Sequence, residues 1–180
     1  MRALFISEKY IKENSAIDTN TDYKKILPTV WMCQIQYLQA YLGTKVYENL
    51  IDEILNDTVS ANNEILLKDY VADALLYWVM YEVQIPLLYE FRNKNVSKKS
   101  SDNAQPIGTK ELSRIENRFK DKAEYFSKRI SDYLCANRTI YPLYCTENEI
   151  DETSPEQGKA SVSVFLGKST TKVECNKYLY

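Results

Sequence analysis

The stretch from Glu64 to Asn93 constrains the fold of this chain more than any other feature. Between Ala74 and Phe91 it is apolar on nearly every side of a helical projection, and such a helix is buried on all sides. Glu82, Gln84 and Pro86 interrupt the run, whereas a membrane span needs roughly 20 residues with few or no charges. We predict the central helix of a helical domain, kinked at Pro86 because proline cannot donate to the Glu82 carbonyl.

Two helices are predicted before this stretch from their capping residues and apolar spacing. Ser7 suits the N-cap of a short helix from Glu8 to Glu13. Asp22 suits the N-cap of a second helix that runs to about Tyr41, with apolar residues at helical spacing. Because Pro28 lies one to two turns inside, the second helix either starts later or bends there.

A third helix is predicted from about Lys45 to Leu55, between two polar connections. Gly43 suits a left-handed end of the second helix, and Thr44 suits the N-cap of the third. Asn62 or Asn63 is the predicted cap of the central helix.

A polar loop and a long helix follow the central stretch. Residues Val96 to Gly108 have no apolar periodicity and are predicted to form a mobile loop. Thr109 is the predicted cap of a helix to about Asn137, which we expect to pack on the central helix. Its apolar stripe has three- and four-residue steps and comprises Leu112, Ile115, Phe119, Phe126, Ile130 and Tyr133.

The sequence changes character after residue 145. Thr146 to Lys159 is acidic and predicts a linker, and Ala160 to Leu166 and Thr170 to Glu174 predict two short strands. Because a two-stranded hairpin alone is marginal in water, these strands are expected to join a sheet elsewhere. The predicted fold is mainly α: a small helical bundle in residues 1–145, with a C-terminal extension, 146–180, containing short β-strands.

Charge is distributed unevenly along the chain. Residues 1–93 carry 8 Lys+Arg and 13 Asp+Glu, whereas residues 94–138 carry 11 and 6, so these parts have net charges of −5 and +5. This asymmetry favours head-to-tail packing of identical copies or a basic face near nucleic acid. A solvated helix face explains it equally well.

The residues that usually form catalytic or metal sites are few or scattered. There is no His, and none of the four Cys forms a CxxC pair, which makes a zinc site or a His-dependent catalytic arrangement improbable. Cys33 and Cys135 fit buried positions in helices. Asp69 and Asp73 share a helix face, for which a solvated role is far commoner than catalysis. Glu82 needs a partner, for which Arg92 or a basic residue of the last helix is predicted.

Several stretches together resemble the head–tail connector (adaptor) proteins of tailed bacteriophages, specifically those of crAss-like phages. They are Ile6 to Asp18, Tyr41 to Ile54, Asp73 to Val96, Lys99 to Pro106 and Arg118 to Arg138, and their order and spacing carry the resemblance. It implies a virion protein that forms a ring, usually of twelve copies, beneath the portal at the head–tail junction. It also implies no catalytic residue, metal or cofactor.

The resemblance further implies the partners. They are copies of the chain, the portal protein, other connector or tail proteins, and double-stranded DNA that passes through the channel without sequence readout. The short apolar run at the N-terminus lacks a signal-peptide core, so assembly in the bacterial cytoplasm and no membrane partner are expected. The C-terminal extension is expected to pair with the portal by strand addition. The candidate interface residues are Lys94, Lys98, Lys99, Lys120, Lys122, Val162, Val164, Phe165, Leu166, Tyr178 and Tyr180.

An alternative function is a DNA-binding or adaptor module that uses the Lys-rich loop, residues 94–108, and the last helix. Lysine side chains could contact a phosphate backbone there. The negative net charge of the whole chain, −2, argues against this alternative.

Overall fold

The computed structural model describes residues 3–17, 20–91, 96–98, 108–145, 153 and 155. This part is mainly α-helical, as predicted. Its helices are α1 (Glu8–Asn14), α2 (Tyr23–Cys33), α3 (Gln39–Leu42), α4 (Thr44–Leu55), α5 (Ala61–Leu66), α6 (Ala72–Glu82), α7 (Gln84–Leu88) and α8 (Thr109–Ala136), with π-helical segments at Gln34–Leu38 and Leu67–Val71, strands β1 (Tyr89–Phe91) and β2 (Val96–Lys98), and a 3₁₀ turn at Pro142–Cys145.

The first two helices begin where the sequence predicts. The Ser7 side chain accepts a hydrogen bond from Tyr10 N, and the Asp22 side chain accepts one from Lys24 N. Helix α2 starts directly after Asp22 with Pro28 inside it, so the alternative of a later start is wrong. The chain stays helical through the π-helical segment Gln34–Leu38 into α3.

Two threonines predicted as N-caps are instead the first residues of their helices. Gly43 precedes Thr44 as the N-cap of α4, and Gly108 precedes Thr109 as the N-cap of α8. Each helix therefore starts one residue earlier than predicted. Gly43 has the positive φ expected of a glycine at a helix end, +73°, but its ψ of 154° lies outside the left-handed helical region, so the predicted left-handed cap is wrong in detail.

Asn62 and Asn63, which were predicted to cap the central helix, instead lie inside the helical stretch that leads into it. Ser60 is the N-cap of α5, and its side chain accepts a hydrogen bond from Asn63 N at 3.3 Å. A hydroxyl can satisfy the exposed N–H groups of a first turn as well as an amide can. The helical stretch that leads into α6 therefore begins at Ala61.

The predicted interruption near Pro86 is found at Val83, between α6 and α7. The prediction of helix up to Phe91 is wrong, because residues 89–91 form β1. The prediction of a loop from Val96 is wrong at its start, because Val96–Lys98 forms β2. The strands pair antiparallel, with Tyr89 opposite Lys98 and Phe91 opposite Val96. Aromatic and β-branched residues such as these favour strands.

Helix α6 is the centre of the core, and α8 packs against it as predicted. The Trp78 indole Nε1 donates a hydrogen bond to Ser127 Oγ at 2.9 Å in a buried position. Beside it, the rings of Tyr77 and Phe126 stack with their centroids 5.1 Å apart. The same Trp78 indole also stacks on the Tyr37 ring at a centroid distance of 3.8 Å.

A buried amide in the first π-helical segment fixes the N-terminal segment to this core. Gln34 is fully buried. Its Oε1 accepts from Phe5 N at 3.0 Å, and its Nε2 donates to Ala3 O at 3.1 Å and Tyr47 Oη at 3.2 Å. Because a buried amide is costly unless it is hydrogen-bonded, this arrangement ties the segment before α1 to α4.

We expect Ser127→Ala to reduce the free energy of unfolding by about 1–3 kcal/mol, because it leaves the buried Trp78 indole N–H without an acceptor. Urea unfolding followed by tryptophan fluorescence measures this change. Ser113→Ala, at an exposed position of the same helix, is the matched control and should change stability by less than about 0.5 kcal/mol. Equal effects of the two substitutions would contradict a role for the hydrogen bond.

Candidate interaction surfaces

Glu82, the carboxylate inside the central apolar stretch, is bound by a tyrosine. Tyr37 Oη donates a hydrogen bond to Glu82 Oε1. Among the described residues, the hydrogen-bond partner of Glu82 is therefore the phenol of Tyr37 and not a basic side chain of the last helix. The other predicted partner, Arg92, lies outside the described residues. Burial, the hydrogen bond to Glu82 and its negative charge all raise the pKa of Tyr37 far above its usual value near 10. This pairing stabilises the contact between α6 and the first π-helical segment.

The other candidate acidic and sulfur groups also have structural surroundings. Asp69 is exposed, whereas the half-buried Asp73 accepts a hydrogen bond from Tyr10 Oη at 2.7 Å. Cys33 is buried, and burial followed by the charge of Glu82 raises the pKa of its thiol. Within the described ranges, no group of three or more His, Cys, Asp or Glu could hold a metal ion.

Two of the basic candidates, Lys120 and Lys122, contact groups of their own chain. Lys120 Nζ lies 3.7 Å from Glu124 Oε1, and both side chains are about half exposed. Lys122 Nζ lies 5.1 Å from the centre of the Tyr77 ring, a cation–π distance. Lys98 is the last residue of β2. The other predicted interface residues, Lys94, Lys99, Val162, Val164, Phe165, Leu166, Tyr178 and Tyr180, lie outside the described residues, as do the two predicted C-terminal strands.

The start of the C-terminal extension is anchored to the corner between α3 and α4. Thr44 N donates to Thr153 O at 3.1 Å, and Thr153 N donates to Thr44 Oγ1 at 2.9 Å. Pro155 is buried beside Gly43, where an added Cβ would lie 2.9 Å from Pro155 Cδ. Glycine is therefore favoured at position 43 for two reasons, its positive φ and the close approach of the extension.

An apolar groove runs along the outer side of α2. It has a volume of about 560 Å³. Leu27 and Met32, each 37% exposed, lie in it, and Ile35 continues their exposed line along the helix. The groove is lined by Leu4, Leu27, Pro28, Trp31 and Met32.

A second depression, of about 580 Å³, lies on the other side of Leu4 and reaches α1. Tyr23 lines it, and its buried Oη has no hydrogen-bond partner among the described residues. Burial, and then the charge of Glu8, raises the pKa of this phenol.

The first turns of α8 extend past the core. Ala123 is the first buried residue of this helix, and Phe119 is the first that packs against the core. Leu112 and Ile115 lie outside the core cluster of the described residues, and Ile115 is 39% exposed. We call residues 109–118 the arm. At a rise of 1.5 Å per residue, the arm is about 15 Å long.

The described residues thus define a small, mainly α-helical domain with an apolar groove, an amphipathic arm and an anchored C-terminal extension. None of its described helices is both long and apolar enough to cross a membrane. Residues 38–154 match a family described as Family of unknown function (DUF6712), and the chain belongs to this family. No curated protein and no solved structure matches the chain.

Sequence reasoning missed both the groove and the anchor. The exposed line of Leu27, Met32 and Ile35 was open to detection, because these apolar residues follow one another at helical spacing outside the predicted core stripe. No comparable sequence pattern predicts the contact between Gly43 and Pro155, because these two residues are far apart in the chain. Only the folded backbone brings these two residues together.

The raised pKa of Tyr37 predicts a loss of stability in alkali. The folded chain keeps this phenol protonated at pH values where the unfolded chain ionises it. The contribution of this phenol to the free energy of unfolding is therefore complete below about pH 10 and declines as the pH rises above that value. Between about pH 9 and 11, stability should fall less steeply in Tyr37→Phe than in the wild type, as measured by urea unfolding. Tyr125→Phe, at a position 64% exposed, is the control, and parallel curves for all three proteins would refute the prediction.

We expect Gly43→Ala to destabilise the fold by about 1–3 kcal/mol, because alanine is strained at φ +73° and its Cβ meets Pro155. Thermal unfolding measures the loss. Adding Pro155→Ala should recover the part due to the close contact but not the part due to φ. Gly108→Ala, which meets no atom within 4 Å, should cost less than about 1 kcal/mol through weaker capping. A Gly43→Ala variant as stable as Gly108→Ala would contradict the anchor.

Proposed function

We propose that this protein is a structural virion protein of a tailed phage, a connector that forms a ring beneath the portal. In this role it joins the head to the tail and lines the channel through which DNA leaves. Its resemblance to crAss-like phage connectors and its mainly helical domain support this proposal. The DNA is expected to pass without sequence readout.

The anchored extension is the observation that carries the proposal. Thr153 and Pro155 are held at the corner of α3 and α4, so the chain that follows Pro155 starts from a fixed point on the helical domain. A segment with a fixed origin and alternating apolar residues suits strand addition to a partner sheet. In this proposal Val162, Val164 and Leu166 form one face of the added strand, and the portal supplies the sheet.

Ring closure requires a different surface on each side of the subunit, because a closed ring uses head-to-tail contacts. The opposite net charges of residues 1–93 and 94–138 supply such a difference. Lys120 and Lys122 remain candidates for this interface. Both already contact groups of their own chain, Glu124 and Tyr77, so their charges are partly compensated.

The contacts of Lys120 with Glu124 and of Lys122 with Tyr77 also weaken the alternative of a DNA-binding module built on the last helix. Each such lysine would exchange a contact in its own chain for a phosphate contact. Native mass spectrometry of the purified protein, alone and with its portal, separates the two functions. A defined multiple of the chain, alone or only on the portal, supports the connector. A monomer indifferent to portal, with duplex binding that falls steeply with salt, supports the alternative.

A chain that ends at Lys159 should fold normally and lose portal binding, because it keeps the Thr153–Pro155 anchor but lacks the predicted strands. Circular dichroism and portal pull-down measure the two properties. In the full chain, Val162→Asp with Val164→Asp should also abolish binding. Ser161→Asp with Ser163→Asp adds the same charge to the opposite strand face and should bind more strongly than the valine variant. Normal portal binding by the truncated chain would refute strand addition.

A further inference from the structure

We propose that a basic face on α8 of one copy packs against an acidic face on α4 of a neighbouring copy. This inference rests on the ring proposed above, and it names the two surfaces that meet. The basic face comprises Arg118, Lys122 and Tyr125, and the acidic face comprises Glu48, Asp52 and Leu55.

The two faces have the same spacing along their helices. In each face the second residue follows the first by four positions, and the third follows the second by three. Residues at this spacing lie one above another on one side of a helix. Two such helices laid side by side and parallel therefore bring each cation opposite a carboxylate and Tyr125 opposite Leu55.

The side chains of both faces are accessible to a partner. The four charged residues are exposed, Tyr125 is 64% exposed and Leu55 is 40% exposed. Within the described part of the chain, none of the four charged residues belongs to an ion pair. Lys122 lies over the Tyr77 ring, which positions its ammonium group but supplies no carboxylate. A second copy can supply the opposite charges.

The charges around the two faces favour the same pairing. Helix α4 carries one Lys and three Asp and Glu, so its net charge is −2. Residues 114–129 of α8 carry six Lys and Arg and three Asp and Glu, so their net charge is +3. Complementary charges across an interface steer association and fix its register. The two helices therefore attract each other, and the matched spacing sets their register.

The fold gives the two helices the direction that this pairing requires, because both run opposite to α6. In α8, Phe126 stacks on Tyr77 in the second half of α6. Seven residues later, Tyr133 stacks on Tyr70, which precedes α6. Helix α8 therefore ends near the start of α6.

Helix α4 has the same direction as α8. It begins shortly after Tyr37, which contacts Glu82 at the end of α6. Its last turn lies beside Ser60, where the helical stretch that leads into α6 begins, because Ser60 N donates to Glu53 Oε2 at 3.0 Å. Rotation about a ring axis that lies along α4 and α8 keeps their direction. The α8 of one copy can therefore lie parallel to the α4 of the next.

Charge reversal provides a sharp test, because the two faces are different surfaces and the contact is head-to-tail. The basic-face variant of the full chain carries Arg118→Glu and Lys122→Glu. The acidic-face variant carries Glu48→Lys and Asp52→Lys. Sedimentation velocity and native mass spectrometry in low salt, with and without portal, measure assembly.

Two controls make the same changes in net charge outside both faces. They are Lys9→Glu with Lys68→Glu, and Glu13→Lys with Glu64→Lys, all at exposed side chains. Each control should assemble like the wild type. Each face variant alone should associate at least about tenfold more weakly, because like charges then oppose each other across the contact.

An equimolar mixture of the two face variants should recover assembly. The reversed α8 of one variant then meets the reversed α4 of the other, and their unchanged faces also match, so the copies alternate. A single chain that carries all four reversals should assemble for the same reason. Face variants that are both weakened, but do not recover when mixed, would contradict the pairing.

A disulfide test does not depend on charge. A copy with Tyr125→Cys, oxidised with a copy carrying Leu55→Cys, should give a mixed dimer absent from either protein alone. Ile65→Cys, at another exposed apolar position, is the control for Leu55→Cys and should give none. The absence of the mixed dimer from assembled rings would also overturn the contact.

The outcomes separate this contact from the ring itself. A wild-type ring that both face variants still form overturns the contact and leaves the ring standing. A wild-type chain that stays monomeric, alone and on its portal, overturns both. A basic-face variant that assembles normally but loses duplex DNA binding overturns the contact and assigns the basic face to nucleic acid.

Discussion

The burial of most of α6 is the constraint on which the rest of the structure depends. Ala74, Leu75, Trp78 and Val79 are buried, whereas Asp73, Tyr77 and Tyr81, which recur every four residues, are half-buried. A helix of this kind needs neighbours around most of its circumference. α2 and the first π-helical segment cover one side, α8 covers another, and Gln34 ties the N-terminal segment to this core. The other elements are placed by the requirement to surround α6.

The arm, the groove and the anchor of the extension are the features that this arrangement leaves at the edge of the core. α8 is longer than the core it covers, so its first turns project beyond it. α2 has apolar residues on both sides, and only the inner side can reach α6. Thr153 and Pro155 lie at a corner that the glycine at position 43 allows them to approach. Each surface is therefore a consequence of how the core is closed.

Local sequence patterns predicted much of the helical structure. They failed where the conformation of a segment depends on its contacts with another part of the chain. The caps at Ser7 and Asp22 are correct because each depends on one side chain and the next few N–H groups. The hydrogen bond from Tyr37 to Glu82 was not predicted, because packing brings together two residues that are far apart in the chain. Helix was also predicted through residues 89–91, whose pairing with β2 depends on a second segment.

The sequence by itself determined that this protein is a mainly helical domain built around one apolar helix, because helical periodicity and burial follow from the spacing of its apolar residues. It also determined the charge asymmetry along the chain. The tertiary structure alone decided which face of α2 is covered, where α8 leaves the core, and that Pro155 meets Gly43. These features depend on contacts between residues that are far apart in the chain. A local sequence pattern does not show which distant residues come into contact.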